Sequence, residues 1–371
     1  MRLLSLKLVG VRNLAPLMLT PGPRFNVLAG ENGQGKTNVL EAIYAVCALR
    51  SFRTARLAEM IALGQTDAHI DARVLTGDLE RTFSLTIRER GRQTRVDGKL
   101  IRSVARYFGG FNVVLFAPED LYLPKRSPSA RRRFVDRTVF GRDPGFLPLA
   151  QDYDKVLRSR NAILRDPGRR HHAGDLLDVY DHQLAGLGAR IIARRRALVS
   201  DIQPRVREAF EAIAGGQLAA DVAYVAPPSL ADTKDADLEP ALAADFAAAR
   251  AADLGRGHTT VGPHRHDLAF TLAGQPADKI ASQGQLRALI LAWKIAELDL
   301  LTGHLGEPPL LLLDDVSSEL DAERTRYLFD FLAAREHQCF ITTTVPEHVF
   351  STAERVDFSV SRGVVKPVTE P

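Results

Sequence analysis

The sequence predicts a two-lobed α/β fold: a mixed sheet with helices, built from both ends of the chain, and a mostly helical second lobe inserted between them. Three observations carry this. A glycine-rich loop, Gly30-Glu31-Asn32-Gly33-Gln34-Gly35-Lys36-Thr37, stands between an apolar run, Phe25–Ala29, and a helical pattern over 38–46. Far down the chain, four leucines at 310–313 run into Asp314-Asp315. Between these, from about Lys125, the composition turns basic and long helical patterns take over.

The bulk numbers bound the answer. The 371 residues are 45% apolar and 25% charged, which excludes disorder as the dominant state. A net charge of +4 permits a polyanionic partner without demanding one. The two cysteines, Cys47 and Cys339, both in apolar surroundings, fit a reducing compartment. The N-terminal residues lack the apolar core of a secretion signal, and no stretch approaches about 18 uninterrupted apolar residues. A cytoplasmic protein with no membrane partner is expected.

Taken in order, Leu4, Leu6 and Leu8 alternate with Ser5, Lys7 and Val9, as in a strand with one apolar face. Asn13 and Pro21-Gly22-Pro23 mark turns before the strand that feeds the glycine loop. The loop itself is read for what it binds. Glycines let successive N–H groups point into one concavity, and the helix behind turns its positive end to the same anion. Lys36 can then reach the β- and γ-phosphates of a nucleotide, and the Thr37 hydroxyl can hold Mg²⁺. Arg53 and Arg56 follow the loop helix, placed either to reach the nucleotide or to be solvated.

Residues 69–102 read as an antiparallel meander with a hairpin turn at Asp97-Gly98. The run 112–116 is a buried central strand, and Glu119 and Asp120 lie just past its end, where site residues collect. Between Lys125 and Arg170, thirteen Lys/Arg outnumber five Asp/Glu, a local excess that marks polyanion contact or a solvated face. Arg131, Arg132 and Arg133 lie there, behind Ser129 as the expected N-cap, and are the candidate residues for contact with a polyanion such as DNA. Helices are expected over 147–164 and 176–213, ended by Gly215-Gly216; a loop over 226–240 and an Ala-rich helix over 241–254 follow.

Gly262-Pro263-His264-Arg265-His266-Asp267 opens a return to strands. It offers no complete metal-ligand set and reads as a phosphate- or core-contacting strand edge. Ser282-Gln283-Gly284-Gln285 opens a helix over 286–301, a second anion-binding helix start. Burying Asp314 and Asp315 at a strand end needs a partner, which Mg²⁺ on a nucleotide supplies, so Asp314 reads as the metal-shell acid. Ser318-Glu319-Leu320-Asp321, an apolar strand over 339–344 and a closing hairpin over 356–365 complete the chain. The expected lobes are 1–124 with 258–371, and 125–257.

These motifs together resemble the ABC-type ATPase family and, within it, the RecF-type recombination-repair branch. The general features are the loop 30–37, the signature at 282–285, the acid pair Asp314-Asp315 and the D-loop 318–321. The branch features are Phe116-Ala117-Pro118-Glu119-Asp120, Arg131-Arg132-Arg133-Phe134-Val135-Asp136 and Gly262-Pro263-His264-Arg265. The resemblance covers essentially the whole chain, which has no room for the long coiled coil of SMC-like relatives.

It implies ATP held between two protomers. Gly30, Glu31, Asn32, Gly33, Gln34, Gly35, Lys36 and Thr37 of one copy would face Ser282, Gly284 and Gln285 of the other. Thr37 and Asp314 would hold Mg²⁺, and Lys36, Asp314 and Asp315 would carry the chemistry. It implies a weak, DNA-stimulated ATPase whose ATP-bound homodimer sits on gapped or ss–ds junction DNA, and which helps RecR and RecO load RecA on single strands. Two alternatives stand beside it: an ATP-gated clamp without functional turnover, and a transporter ATPase subunit. Four departures bear on these. Asp315 stands where many relatives carry Glu, so slow hydrolysis is expected. Thr343 or Thr344 replaces the switch His. No clear Q-loop glutamine is present, with Glu119 or Asp120 the candidates for its place. His266 stands where the branch has Asp.

Overall fold

The computed structural model describes residues 1–102, 107–166, 174–216, 218–316, 320–349 and 354–368. The chain forms two compact units, one from Met1–Leu121 with Gln283–Pro371, the other from Tyr122–Ser282. The first begins with β1 (Arg2–Val9), β2 (Leu17–Leu19) and β3 (Phe25–Ala29), followed by α1 (Lys36–Ala48). A meander of β4 (Asp67–Thr76), β5 (Leu79–Arg88), β6 (Gly91–Val96) and β7 (Lys99–Leu100) leads to β8 (Val113–Phe116). The second unit holds α2 (Pro128–Arg142), α3 (Phe146–Arg165), α4 (Gly174–Ala214), β9 (Ala220–Val225), α5 (Leu238–Arg256), β10 (Asp267–Leu272) and β11 (Gln275–Pro276). The chain re-enters the first unit with α6 (Gln283–Leu305), β12 (Leu310–Asp314), α7 (Ala322–Ala333), β13 (Cys339–Thr343), β14 (Arg355–Ser361) and β15 (Val364–Pro367).

Two sheets build the first unit. One is antiparallel, in the order β2-β1-β4-β5-β6-β7. The other runs β15-β14-β3-β13-β12-β8, with β14, β3, β13, β12 and β8 all parallel. Parallel strands are buried on both faces, which explains the unbroken leucine run: residues 310–314 are all buried. The register places Asp314, Thr342 and Leu28 in one row across β12, β13 and β3. The carboxyl ends of these strands therefore collect the glycine loop and the acid pair at one edge, where open α/β sheets bind ligands.

The second unit has a three-stranded sheet, β11-β10-β9, beside its helices. Its return to the first unit lies at 283 and not at the expected 258, because β10 pairs with β9 along its whole length. Three smaller expectations also change. In β1 the buried residues are Leu3, Leu6 and Leu8, because a bulge between Leu3 and Ser5 breaks the alternation and leaves Leu4 half-buried. The α2 N-cap is Ser127 and not Ser129, since Pro128 has the fixed φ suited to a first helical position. The stretch 226–240 is only partly loop, with helical turns at Pro228–Ala231 and Asp235–Asp237. Among the described residues no helix is long and apolar enough to cross a membrane. Cys47 and Cys339 are buried free thiols, each pushed up to about 12 by burial.

Candidate nucleotide site

The glycine loop joins β3 to α1, and its shape is fixed at two glycines. A Cβ on Gly30 would lie 2.2 Å from the Val360 carbonyl oxygen. Gly35 caps α1 at φ 115, a conformation that L side chains rarely adopt. The first turn of α1 carries no acidic residue, so its positive end stays uncompensated by the helix itself. The hairpin turn after β14 braces the loop from outside. The Gly363 N–H donates to Gln34 O (2.9 Å) and the Arg362 N–H to Gln34 Oε1 (2.6 Å). Asn13 adds a second brace, accepting from Asn38 Nδ2 at 2.7 Å.

Four predicted residues converge. Lys36 is 6% exposed, and its Nζ donates to Gly30 O (2.5 Å) and Glu31 O (2.9 Å). Burial lowers its pKa, while the charges of Asp315 and Asp314 act to raise it. The Thr37 hydroxyl donates to Asp314 Oδ1 at 2.7 Å. Asp314 is 7% exposed, and burial lifts its pKa above the usual carboxylate range against the hydrogen bonds from Thr37 and Thr342. Asp315 is half-buried at φ 49, its N–H donating to Thr342 Oγ1 at 2.9 Å.

Several contributors were open or unseen in the sequence. Thr342 is fully buried and joins both carboxylate residues, donating to Asp314 Oδ1 at 2.8 Å. Thr343 turns its hydroxyl to Val345 O, and Thr344 is exposed past the strand end. The charge of Glu119 acts on Asp314, whereas Asp120 lies 4.0 Å from Lys294 on α6. Arg53 also acts on Asp314; it donates to Asn38 Oδ1 at 2.7 Å and lies 3.5 Å from Glu41. Glu41 is a fully buried carboxylate on α1, held bidentate by Arg12 at 2.7 and 2.9 Å. Arg56 instead pairs with Glu59 on the surface.

The signature residues stand on a separate element. Ser282 is exposed immediately before α6, and Gly284 and Gln285 are half-buried in its first turn. A Cβ on Gly284 would lie 3.3 Å from Arg324 Nη1 on α7. Arg324 in turn pairs with Asp321, the α7 N-cap. Ser318 and Glu319 of the expected D-loop lie outside the described residues.

In the second unit, two of the three candidate DNA-binding arginines are engaged internally. Arg131 holds Asp267 bidentate, at 2.8 and 2.5 Å, and Arg132 donates to His266 O at 2.8 Å. Arg133 faces solvent. Arg195 completes the frame around residues 262–267, donating to Pro263 O at 2.7 Å and pairing with Asp136. His264 and His266 are tied to Tyr153 (2.8 Å) and Tyr224 (2.7 Å).

The family model described as "RecF/RecN/SMC N terminal domain" matches residues 2–363. The DNA replication and repair protein RecF of Myxococcus xanthus (strain DK1622) is 44% identical over 350 residues, 93% of this chain and 91% of the relative. A solved structure of the recombination mediator protein RecF with ATP, from the RecFOR pathway, is 29% identical; it superposes with a TM-score of 0.90, covering 99% of this chain and 97% of that one. An Smc head bound to the C-terminal winged-helix domain of ScpA shares the fold, with a TM-score of 0.58 at 14% identity, covering 99% and 97% of the two chains.

Proposed function

The chain belongs to the RecF/RecN/SMC family, in its RecF branch, and from that membership we propose that it is an ATP-gated DNA-binding switch of replication and repair. The observation that carries the reading is the convergence of Lys36, Thr37 and Asp314 at the carboxyl ends of β3 and β12. The loop N–H groups and the α1 positive end bind the phosphates of ATP. Lys36, held beside the loop by two carbonyls, exchanges those bonds for phosphate oxygens.

A divalent cation fits the same place, since Thr37 Oγ1 and Asp314 Oδ1 are hard oxygen donors 2.7 Å apart and the carboxylate is desolvated. Bound there, Mg²⁺ would neutralise charge on the triphosphate. Asp315 orients the attacking water. Its side chain is one methylene shorter than Glu, and its N–H is tied to Thr342, so turnover is slow and suits a switch. Ser282, Gly284 and Gln285 meet the triphosphate of a second copy, so ATP joins two protomers and hydrolysis releases them. The dimer binds gapped or ss–ds junction DNA in the cytoplasm and acts with RecR and RecO to load RecA.

The test is the mass of the protein in solution, without nucleotide and with ATP·Mg²⁺, each with and without a gapped duplex. A monomer that becomes a dimer only with ATP, and then retains DNA, is expected. A monomer in all four conditions sinks the reading. The Lys36→Ala variant should lose ATP-dependent DNA binding; binding unchanged from the parent protein would remove the phosphate loop from the account.

A further inference from the structure

The sequence points to α2 and its neighbours as the basic surface, but there the structure ties several arginines to carboxylates, while Lys125, Arg126, Arg133, Lys155, Arg158 and Arg165 stay exposed. Arg131 pairs with Asp267, Arg142 with Asp201, Arg160 with Asp181 and Asp253, Arg194 with Asp143, and Arg195 with Asp136. A guanidinium already held by a carboxylate offers little to a phosphate, because breaking the first pair offsets most of the gain.

The first unit carries a second cationic stretch that is not spent this way. Residues 88–102 hold Arg88, Arg90, Arg92, Arg95, Lys99 and Arg102 against Glu89 and Asp97, six cations and two carboxylates. That excess of four equals the net charge of the whole chain. The stretch forms the end of β5, then β6 and β7, and β7 is the edge strand of the antiparallel sheet. Asp97 is neutralised by Arg81 at 3.0 Å and accepts the Thr82 N–H, which leaves Glu89 as the other carboxylate of the stretch to face its cations. Arg92 is tied inward, donating to Leu49 O at 2.8 Å. Arg88, Arg90, Arg95, Lys99 and Arg102 are exposed. From Gly91 to Val96, the length of β6, the strand advances about 16 Å at its usual rise. One DNA strand presents a phosphate about every 3.4 Å along the duplex axis, so roughly five phosphates fit that span.

We propose that this edge, with Arg88, Arg90, Arg95, Lys99 and Arg102, is a contact surface for the DNA sugar-phosphate backbone. The assignment rests on the DNA-binding reading above and adds the location. The competing account is that edge cations only prevent sheet-to-sheet association. Counterion release separates the two, since each neutralised phosphate adds about 0.9 to the slope of log affinity against log salt.

The experiment compares the parent protein with an R90Q/R95Q/K99Q variant for binding a gapped duplex in ATP·Mg²⁺ at two or more salt concentrations, with ATP binding as the control. The variant should bind ATP as the parent does and bind DNA about tenfold or more weakly at low salt. Its slope should be shallower by about 0.9 for each phosphate that it no longer neutralises. Unchanged affinity and slope overturn the proposal, and so does a variant that self-associates yet binds DNA normally. A second measurement uses the parent protein alone: arginine-directed labelling with phenylglyoxal, read by mass spectrometry. DNA should protect Arg88, Arg90 and Arg95; equal labelling with and without bound DNA overturns the surface. A parent protein that binds no gapped duplex at all overturns the DNA reading and this inference with it.

Discussion

The Thr342 hydroxyl donates to Asp314 Oδ1 and accepts the Asp315 N–H, so one oxygen sets the attitude of both adjacent acids. It is fully buried between β3 and β12, where no water can replace it. In Thr342→Val the shape is kept and both hydrogen bonds are lost. The expected outcome is ATP affinity within a few-fold of the parent, ATP turnover down about tenfold or more, and a stability loss of about 1–3 kcal/mol for the orphaned Asp315 N–H, Asp314 keeping the Thr37 hydroxyl. Turnover is measured under saturating ATP and stability by denaturant unfolding. A variant that hydrolyses ATP at the parent rate would leave Thr342 as a packing residue only.

At the scale of elements, α6 is buried along most of its length, from Leu286 to Leu301, and exposed at its two ends, at Gln283 and at Gly303 and His304. A change at its start should leave the protomer's own phosphate loop untouched while blocking a second copy. Ser282→Arg is therefore expected to bind ATP normally and to remain monomeric with ATP·Mg²⁺ by light scattering; a dimer of normal mass would reject the facing arrangement. Elements of this kind were legible because their patterns are local. The loop glycines, the 310–313 leucines and the long apolar periodicities of α3 and α4 each state their structure within one stretch. What was hidden depends on pairing. The β1 bulge at Leu4, the β9–β10 ladder that moves the unit boundary to 283, and the choice of Thr342 over Thr343 are all set by strand register across distant segments. The same limit applies to charge: Arg131 and Arg132 read as free cations until Asp267 and the His266 carbonyl, far along the chain, are brought beside them.

The molecule as a whole carries an acid-sensitive stability. His337 in the first unit is 1% exposed, and neither of its ring nitrogens has a hydrogen-bond partner among the described residues. Burial lowers its pKa to about 4, helped by the charges of Arg335 and Arg24. In the second unit, burial also lowers His264 to about 4 and His266 to about 3, with the nearby arginine charges acting the same way. Each folded pKa lies below the unfolded value of about 6.5, so between these limits the unfolded chain binds more protons than the folded one. The stability from keeping these rings neutral is fully present above about pH 6.5 and is lost as pH falls toward 4, at up to about 1.4 kcal/mol per pH unit for each histidine. Thermal unfolding followed from pH 7.5 to 5 should therefore show a midpoint that falls with acid. Because the three histidines divide between the two units, any separate calorimetric transitions should both move. In His337→Leu the ring that charges in the first unit is gone, so its share of the slope should vanish while that of the second unit persists. A midpoint indifferent to pH in the parent protein, or a slope unaltered in the variant, would mean that these rings reach water before the fold gives way.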